Sequence, residues 1–282
     1  MIVGLIGHPV AHSKSPLMQN AAFAHVGLHA WHYELWDTPP EAIPQRMHLI
    51  AESDKIGGCN VTIPHKQAVM PYLNAVNEHA RAIGAVNTVF KRGHYLLGHN
   101  TDWTGFLADL AYHQVAVDEH TRALVLGAGG SARAIVYALV SREARVWVCN
   151  RTPERAHALL DGISNSPYLH EIQERCAVVA SPVDAIHTGV NLVVNCTSAG
   201  MWPNDDTSPW PADLPYPTTA TLYDLVYKPR ITRLMQTAQA AGARAVGGIG
   251  MLAEQGAAAF ELWTGVRAAQ VSGIMRTALD TL

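Results

Sequence analysis

The segment Ala123–Ala132 constrains the fold more than any other stretch. Four apolar residues, Ala123-Leu124-Val125-Leu126, run into Gly127-Ala128-Gly129-Gly130-Ser131-Ala132, and an apolar-periodic stretch to Leu139 follows. This is the spacing G-x-G-x-x-A between a strand and a helix. Gly127 permits the tight turn, Gly129 lets the backbone approach a pyrophosphate, and Ala132 lets helix and strand pack closely. The helix start supplies free N–H groups and a partial positive charge for phosphates. The spacing predicts a dinucleotide site in a β–α unit.

The next strand decides which dinucleotide. An NAD site places Asp or Glu near the end of that strand, where it binds the ribose 2′-hydroxyl. Here the strand Arg145–Cys149 runs into Asn150-Arg151-Thr152, with no carboxylate. Arg151 can pair bidentately with a 2′-phosphate, and Arg155 adds a second charge. The cofactor expected is NADP.

Around this unit, short apolar runs alternate with helical patterns, as in an α/β protein with mostly parallel strands. The 282 residues exceed one domain of about 150 residues, so two are expected. The predicted helix at 102–113 marks the boundary. The first half predicts strands at 2–6 and 31–36, helices at 16–25 and after Pro64, and a hairpin about Lys91-Arg92-Gly93. Thr101 is the expected N-cap of the boundary helix. The segment 202–217 is rich in proline and reads as a surface loop. Residues from Gly247 onward read as two Ala-rich helices that need a partner surface.

Composition narrows the partners. Only 15% of residues are charged and the formal net charge is −3, so no general attraction to nucleic acid or anionic lipid is expected. No apolar run approaches the ~18 residues of a membrane span. The start, Met-Ile-Val-Gly-Leu-Ile-Gly, reads as a strand and not as a signal peptide. The 4 cysteines are isolated, which fits free thiols in a cytoplasmic setting. No H-E-x-x-H occurs among the 15 histidines, and no metal site is expected.

The first half carries polar residues in unusual places. Ser13 and Ser15 precede a helix opened by Pro16. Their hydroxyls can both donate to a carboxylate, or Ser15 can simply cap the helix. Asn60 and Thr62 share one side of a strand end by period 2. Lys66 falls in the first turn of the predicted following helix, where the macrodipole disfavours it unless an anion is near. Asn87 stands in an apolar strand, and Asp102 opens the boundary helix. Asp102 either stabilises that helix start or faces Lys66 as a catalytic pair.

Together these segments resemble the shikimate dehydrogenase family. The segments are HPVAHSKSP (8–16), NVTIPHK (60–66), IGAVNT (83–88), NTDWTGF (100–106), GAGGSARA (127–134), NRT (150–152), NCTSAGM (195–201), DLVYKP (224–229) and GGIGMLAEQGAAAFELWTG (247–265). Gln19 stands where the family often has His, and Ser131 where its turn often has Ala. The resemblance implies a substrate domain of residues 1–101, completed by helices 250–282, and a Rossmann-like NADP domain of residues 102–249, with a cleft between. It implies NADPH-dependent reversible reduction of 3-dehydroshikimate to shikimate by a monomer or homodimer. Ser13 and Ser15 would hold the substrate carboxylate. Asn60, Thr62, Asn87 and Gln255, with Lys66 and Asp102, would bind the ring hydroxyls, and Tyr227 would lie beside them. Gly127, Ala128, Gly129, Gly130 and Ser131 would cradle the pyrophosphate. Asn150, Arg151, Thr152 and Arg155 would take the 2′-phosphate end. Thr197, Leu225, Gly248 and Met251 would lie near the nicotinamide.

Hydride arrival puts negative charge on the carbonyl oxygen, and Lys66 is the cation expected to stabilise it. Free lysine titrates near ~10.4, so Lys66 and Asp102 are read as a coupled pair whose formal proton donor stays open. Two rival readings remain. One is a dual quinate/shikimate dehydrogenase; the other is a non-catalytic NADP-sensing protein, which would need neither Lys66 nor Asp102.

Overall fold

A computed structural model describes residues 1–164 and 172–280. The chain divides into two compact units. Unit 1 comprises Met1–Phe106 and Leu252–Leu282, and unit 2 comprises Leu107–Met251.

Unit 1 starts with β1 (Ile2–Gly7), α1 (Ser15–His25), β2 (His32–Asp37), α2 (Ile43–Glu52) and β3 (Ile56–Val61). It continues with β4 (Ala75–Val76), α3 (Glu78–Ile83), β5 (Thr88–Arg92), β6 (Tyr95–His99) and α4 (Asp102–Tyr112), the last crossing into unit 2. The sheet order is β2-β1-β3-β5-β6-β4. Only β5 runs against its neighbours, through antiparallel pairing with β3 and β6. One side of this sheet is sealed by Ile6, Met47, Ile50, Val61, Val69, Val86 and Val89, all buried. The burial of each such side chain stabilises by about 1.5–3 kcal/mol.

The helix expected after Pro64 does not form. The Lys66 carbonyl accepts from the Val86 N–H at 2.7 Å, so it is not free for an intrahelical bond four residues on. Residues 62–69 are turns, followed by a short 3-10 stretch at Met70–Tyr72. The macrodipole argument for Lys66 therefore falls. Thr101 does not cap α4 through its side chain as expected. The Asp102 N–H donates to Asn100 Oδ1 at 3.0 Å, while the Thr101 hydroxyl is engaged with Asn87.

Unit 2 carries β7 (Arg122–Leu126), α5 (Gly130–Val140), β8 (Arg145–Cys149), α6 (Pro153–Ser164), α7 (Ile172–Arg175), β9 (Cys176–Val179) and α8 (Pro182–Ile186). Then come β10 (Leu192–Asn195), β11 (Thr221–Asp224), α9 (Arg233–Ala240) and β12 (Ala245–Gly247). All pairings are parallel, in the order β12-β11-β10-β7-β8-β9. This is the doubly wound order of a Rossmann-type sheet, with its switch point between β7 and β10. Leu124, Val125, Val193 and Val194 are fully buried, as both faces of a parallel sheet are covered. The 202–217 segment carries no helix or strand.

The C-terminal helices α10 (Ile249–Thr264) and α11 (Ser272–Asp280) complete the chain. In unit 1, Phe260 packs on Phe23 of α1 with ring centroids 4.8 Å apart. The Trp263 indole N–H donates to the Val89 carbonyl at 3.0 Å. Their expected partner surface is thus α1 and β5.

Candidate active site

In unit 1 the polar residues form two hydrogen-bonded groups. The first lies where α1 begins. Ser15 is the first helical residue, and α1 has no side-chain cap, so the capping reading of Ser15 is set aside. Ser13 Oγ donates to Ser15 Oγ at 3.2 Å, and the second group starts at Tyr33. Tyr33 donates to Asn60 Oδ1 at 2.8 Å. Asn60 Nδ2 donates to Thr88 Oγ1 at 3.1 Å, and Thr88 donates to Asn87 Oδ1 at 3.0 Å. Asn87 Nδ2 donates to Asp102 Oδ1 at 2.8 Å. Lys66 Nζ closes the chain on Asp102 Oδ2 at 2.6 Å.

The Lys66 and Asp102 side chains are only 11% and 7% exposed. A buried ion pair is tolerated when its remaining polar atoms are satisfied. Here Asn87 satisfies the second Asp102 oxygen, and the Thr101 N–H donates to Asn87 Oδ1 at 2.7 Å. Asn87 is therefore held in one amide orientation. Gln255, on α10, offers Oε1 to Asn87 Nδ2 at 3.4 Å, and its own Nε2 donates to the Leu252 carbonyl at 2.8 Å. Thr62 lies beside this chain of bonds by sequence, but its methyl faces Gly7. Tyr227 belongs to unit 2, where it follows β11 and burial pushes its phenol up.

In unit 2 the glycine-rich turn leaves β7. Gly127 has φ +106°, and a Cβ there would meet Thr197 Cγ2 at 3.1 Å. A Cβ on Gly129 would project into open space. The α5 N-terminus has no side-chain cap. Open space over a bare glycine at a helix start without a side-chain cap fits a pyrophosphate. Ala128, Gly130 and Ser131 complete that turn and are partly exposed. Beyond β8, Asn150 Nδ2 donates to the Thr152 carbonyl at 2.8 Å and shapes the turn. Arg151 and Arg155 are exposed. On the other side of the switch point, Leu225 lies against Gly248, whose Cβ would meet the Leu225 carbonyl. Met251 is buried.

Sequence reasoning passed over Tyr33, Thr88, Asn195 and Asp224 as site residues. Asn195 and Asp224 are polar groups that end otherwise largely apolar strands, the one signal that marked them; Tyr33 and Thr88 lie in mixed strands and carried no such signal. Burial pushes the Cys59 thiol well up and Cys176 up to about 12, so neither is a nucleophile at neutral pH.

A Rossmann-type sheet with a bare glycine turn, and an α/β unit holding a buried lysine–carboxylate pair, define a dinucleotide-dependent oxidoreductase. Residues 5–89 match the profile of the shikimate dehydrogenase substrate binding domain. Residues 109–193 match shikimate/quinate 5-dehydrogenase, and 248–279 match the shikimate 5′-dehydrogenase C-terminal domain. The chain is 42% identical over 280 residues to a shikimate dehydrogenase (NADP(+)) of Symbiobacterium thermophilum, covering 98% of this chain and 92% of that protein. It is 42% identical over 276 residues to the protein of that name from Methanopyrus kandleri, covering 95% and 91%. A solved shikimate 5-dehydrogenase from Thermus thermophilus, in complex with NADP(H) and shikimate, superposes with TM-score 0.85 at 39% identity and 99% coverage of both chains. The chain belongs to the shikimate dehydrogenase (NADP+) family.

Proposed function

We propose that the protein catalyses the reversible NADPH-dependent reduction of 3-dehydroshikimate to shikimate, on the route to chorismate and the aromatic amino acids. Unit 1 is the substrate domain and unit 2 the NADP domain. The observation that carries the reading is the buried network of bonds from Tyr33 to Lys66. It ends on a cation suited to a carbonyl oxygen, and the same unit carries the Ser13–Ser15 hydroxyl pair suited to a carboxylate. Four free cysteines fit a cytoplasmic setting.

NADPH, when bound, supplies the hydride. The chain's own residues do the rest. Ser13 and Ser15 donate to the substrate carboxylate and fix one end of the ring. Asn60, Thr62, Asn87 and Gln255 take the ring hydroxyls. Lys66 Nζ stands at the carbonyl oxygen and stabilises the negative charge that develops there. The proton that completes the new hydroxyl comes from the Lys66–Asp102 pair, with Asp102 held in place by Asn87. In the reverse direction the same pair takes that proton. Gly127, Ala128, Gly129, Gly130 and Ser131 hold the pyrophosphate. Asn150, Arg151, Thr152 and Arg155 hold the 2′-phosphate, while Thr197, Leu225, Gly248 and Met251 line the nicotinamide end.

The test follows absorbance at the NADPH band with shikimate and quinate, each with NADP+ and NAD+. Turnover is expected with shikimate and NADP+. No turnover with any pair would overturn the reading, and equal turnover of quinate would shift it to a dual-specificity enzyme.

A further inference from the structure

We infer that Asn195 and Asp224 form a buried clamp that sets the loops after β10 and β11 against the dinucleotide turn, as positioning residues for the cofactor. The inference rests on the reading of unit 2 as an NADP site. Asn195 ends β10 and Asp224 ends β11, at matched register in adjacent parallel strands. Both are fully buried. Asn195 Nδ2 donates to Asp224 Oδ1 at 2.8 Å.

Every other bond of the pair reaches into a loop. Asn195 Oδ1 accepts from the Thr197 N–H at 3.0 Å and from the Thr197 hydroxyl at 2.7 Å. The Thr197 hydroxyl oxygen accepts in turn from the Ala199 N–H at 3.2 Å. Asp224 Oδ1 accepts from the Val226 N–H at 3.0 Å. Asp224 Oδ2 accepts from Thr232 Oγ1 at 2.6 Å, and Thr232 caps α9 through the Met235 N–H. The Leu225 N–H donates to the Asn195 carbonyl at 3.0 Å. One amide and one carboxylate thus fix residues 197–199, 225–226 and the start of α9 together.

The location gives this fixing a purpose. Ligands of open α/β sheets bind outside the carboxyl ends of the strands, at the switch point. The Thr197 methyl lies 3.1 Å from where a Gly127 Cβ would be, so the clamped loop borders the glycine turn itself. A buried carboxylate is costly, and burial raises Asp224 above the usual carboxyl range. An apolar pair would satisfy the sheet core, but it would leave the loop N–H groups without acceptors.

The test compares Asn195→Leu with the exchange Asn195→Asp/Asp224→Asn. The first keeps bulk and cuts every side-chain tie of Asn195, leaving the Asp224 ties to Val226 and Thr232 in place. The second reverses donor and acceptor and keeps the pair. For Asn195→Leu the NADPH dissociation constant, read from cofactor fluorescence, is expected to rise about tenfold, the effect of losing one good hydrogen bond. Without cofactor, hydrogen exchange at the Thr197 and Ala199 amides is expected to quicken about tenfold. The exchange variant keeps an acceptor at position 195, so NADPH affinity and exchange at the Thr197 and Ala199 amides are expected to return to within about threefold of the parent, while the Val226 amide, whose acceptor atom Asp224 Oδ1 becomes a donor, exchanges faster. If Asn195→Leu does not fold, Asn195→Ala makes the same cut with less bulk. Parent-like affinity and exchange in a folded cut variant would overturn the inference. So would an exchange variant that is unfolded or as impaired as the cut. NADPH binding by the parent protein tests the underlying reading separately.

Discussion

Lys66 and Asp102 lie 36 residues apart in sequence and 2.6 Å apart in space. Removing the cation while Asn87 still orients the carboxylate takes away charge stabilisation needed only as the reaction proceeds. Lys66→Ala is therefore expected to lower kcat by about 10²–10³-fold with little change in KM, as measured by the NADPH assay. Arg151→Ala is expected to raise KM for NADP+ by about tenfold or more while leaving KM for NAD+ unchanged, since only NADP+ carries the 2′-phosphate. Tyr33 is a different kind of group, buried and one bond removed from the proposed ligand. Tyr33→Phe leaves Asn60 Oδ1 without its donor, which costs about 1–3 kcal/mol of stability. It is expected to raise KM for shikimate with NADPH binding unchanged, checked by urea titration beside steady-state kinetics. Lys66, Asn87 and Asp102 could be picked out as polar residues at strand and helix ends. Tyr33 could not, because a tyrosine in a strand reads as core until its hydroxyl partner is seen.

Elements were readable in proportion to how local their causes are. The strand–glycine–helix unit at 122–140 follows from its own residues, and so does the hairpin at Gly93. The helix expected after Pro64 failed for a reason outside the segment: the Val86 N–H takes the Lys66 carbonyl. That bond ties the lysine's backbone to the segment leading into Asn87, so the lost helix brings the two polar residues together. Close packing of α4 on α10 was equally hidden. A Cβ on Gly105 would lie 2.6 Å from the Gln255 backbone nitrogen, and a helix backbone cannot give way there as a flexible side chain could. Gly105→Ala is expected to cost about 1–3 kcal/mol and to raise KM for shikimate by displacing Gln255. Denaturant midpoints and kinetics of the same preparation check both.

Acid should weaken the fold through His99. Burial first, and the nearby His79 second, lower its folded value below the usual 6.5. The unfolded chain then binds the proton more readily than the folded one. Stability from this group is complete above that value and is lost as pH falls through it toward the lowered folded value. The thermal midpoint is expected to drop as pH falls below about 6.5, with a shallower drop in His99→Gln. The two-unit division carries a consequence for biosynthesis. Unit 2 lies between the two segments of unit 1, so a ribosome delivers all of unit 2 before the helices that cover Phe23 and Val89. The Rossmann-type sheet can close while the nascent chain is still being extended. The lysine-bearing sheet must wait, its α1 face bare, until residues 252–280 emerge from the exit tunnel. The unit that holds the Lys66–Asp102 pair is thus begun first and closed only after unit 2 has emerged, and a chaperone that shields nascent apolar surface has its target at residues 15–25.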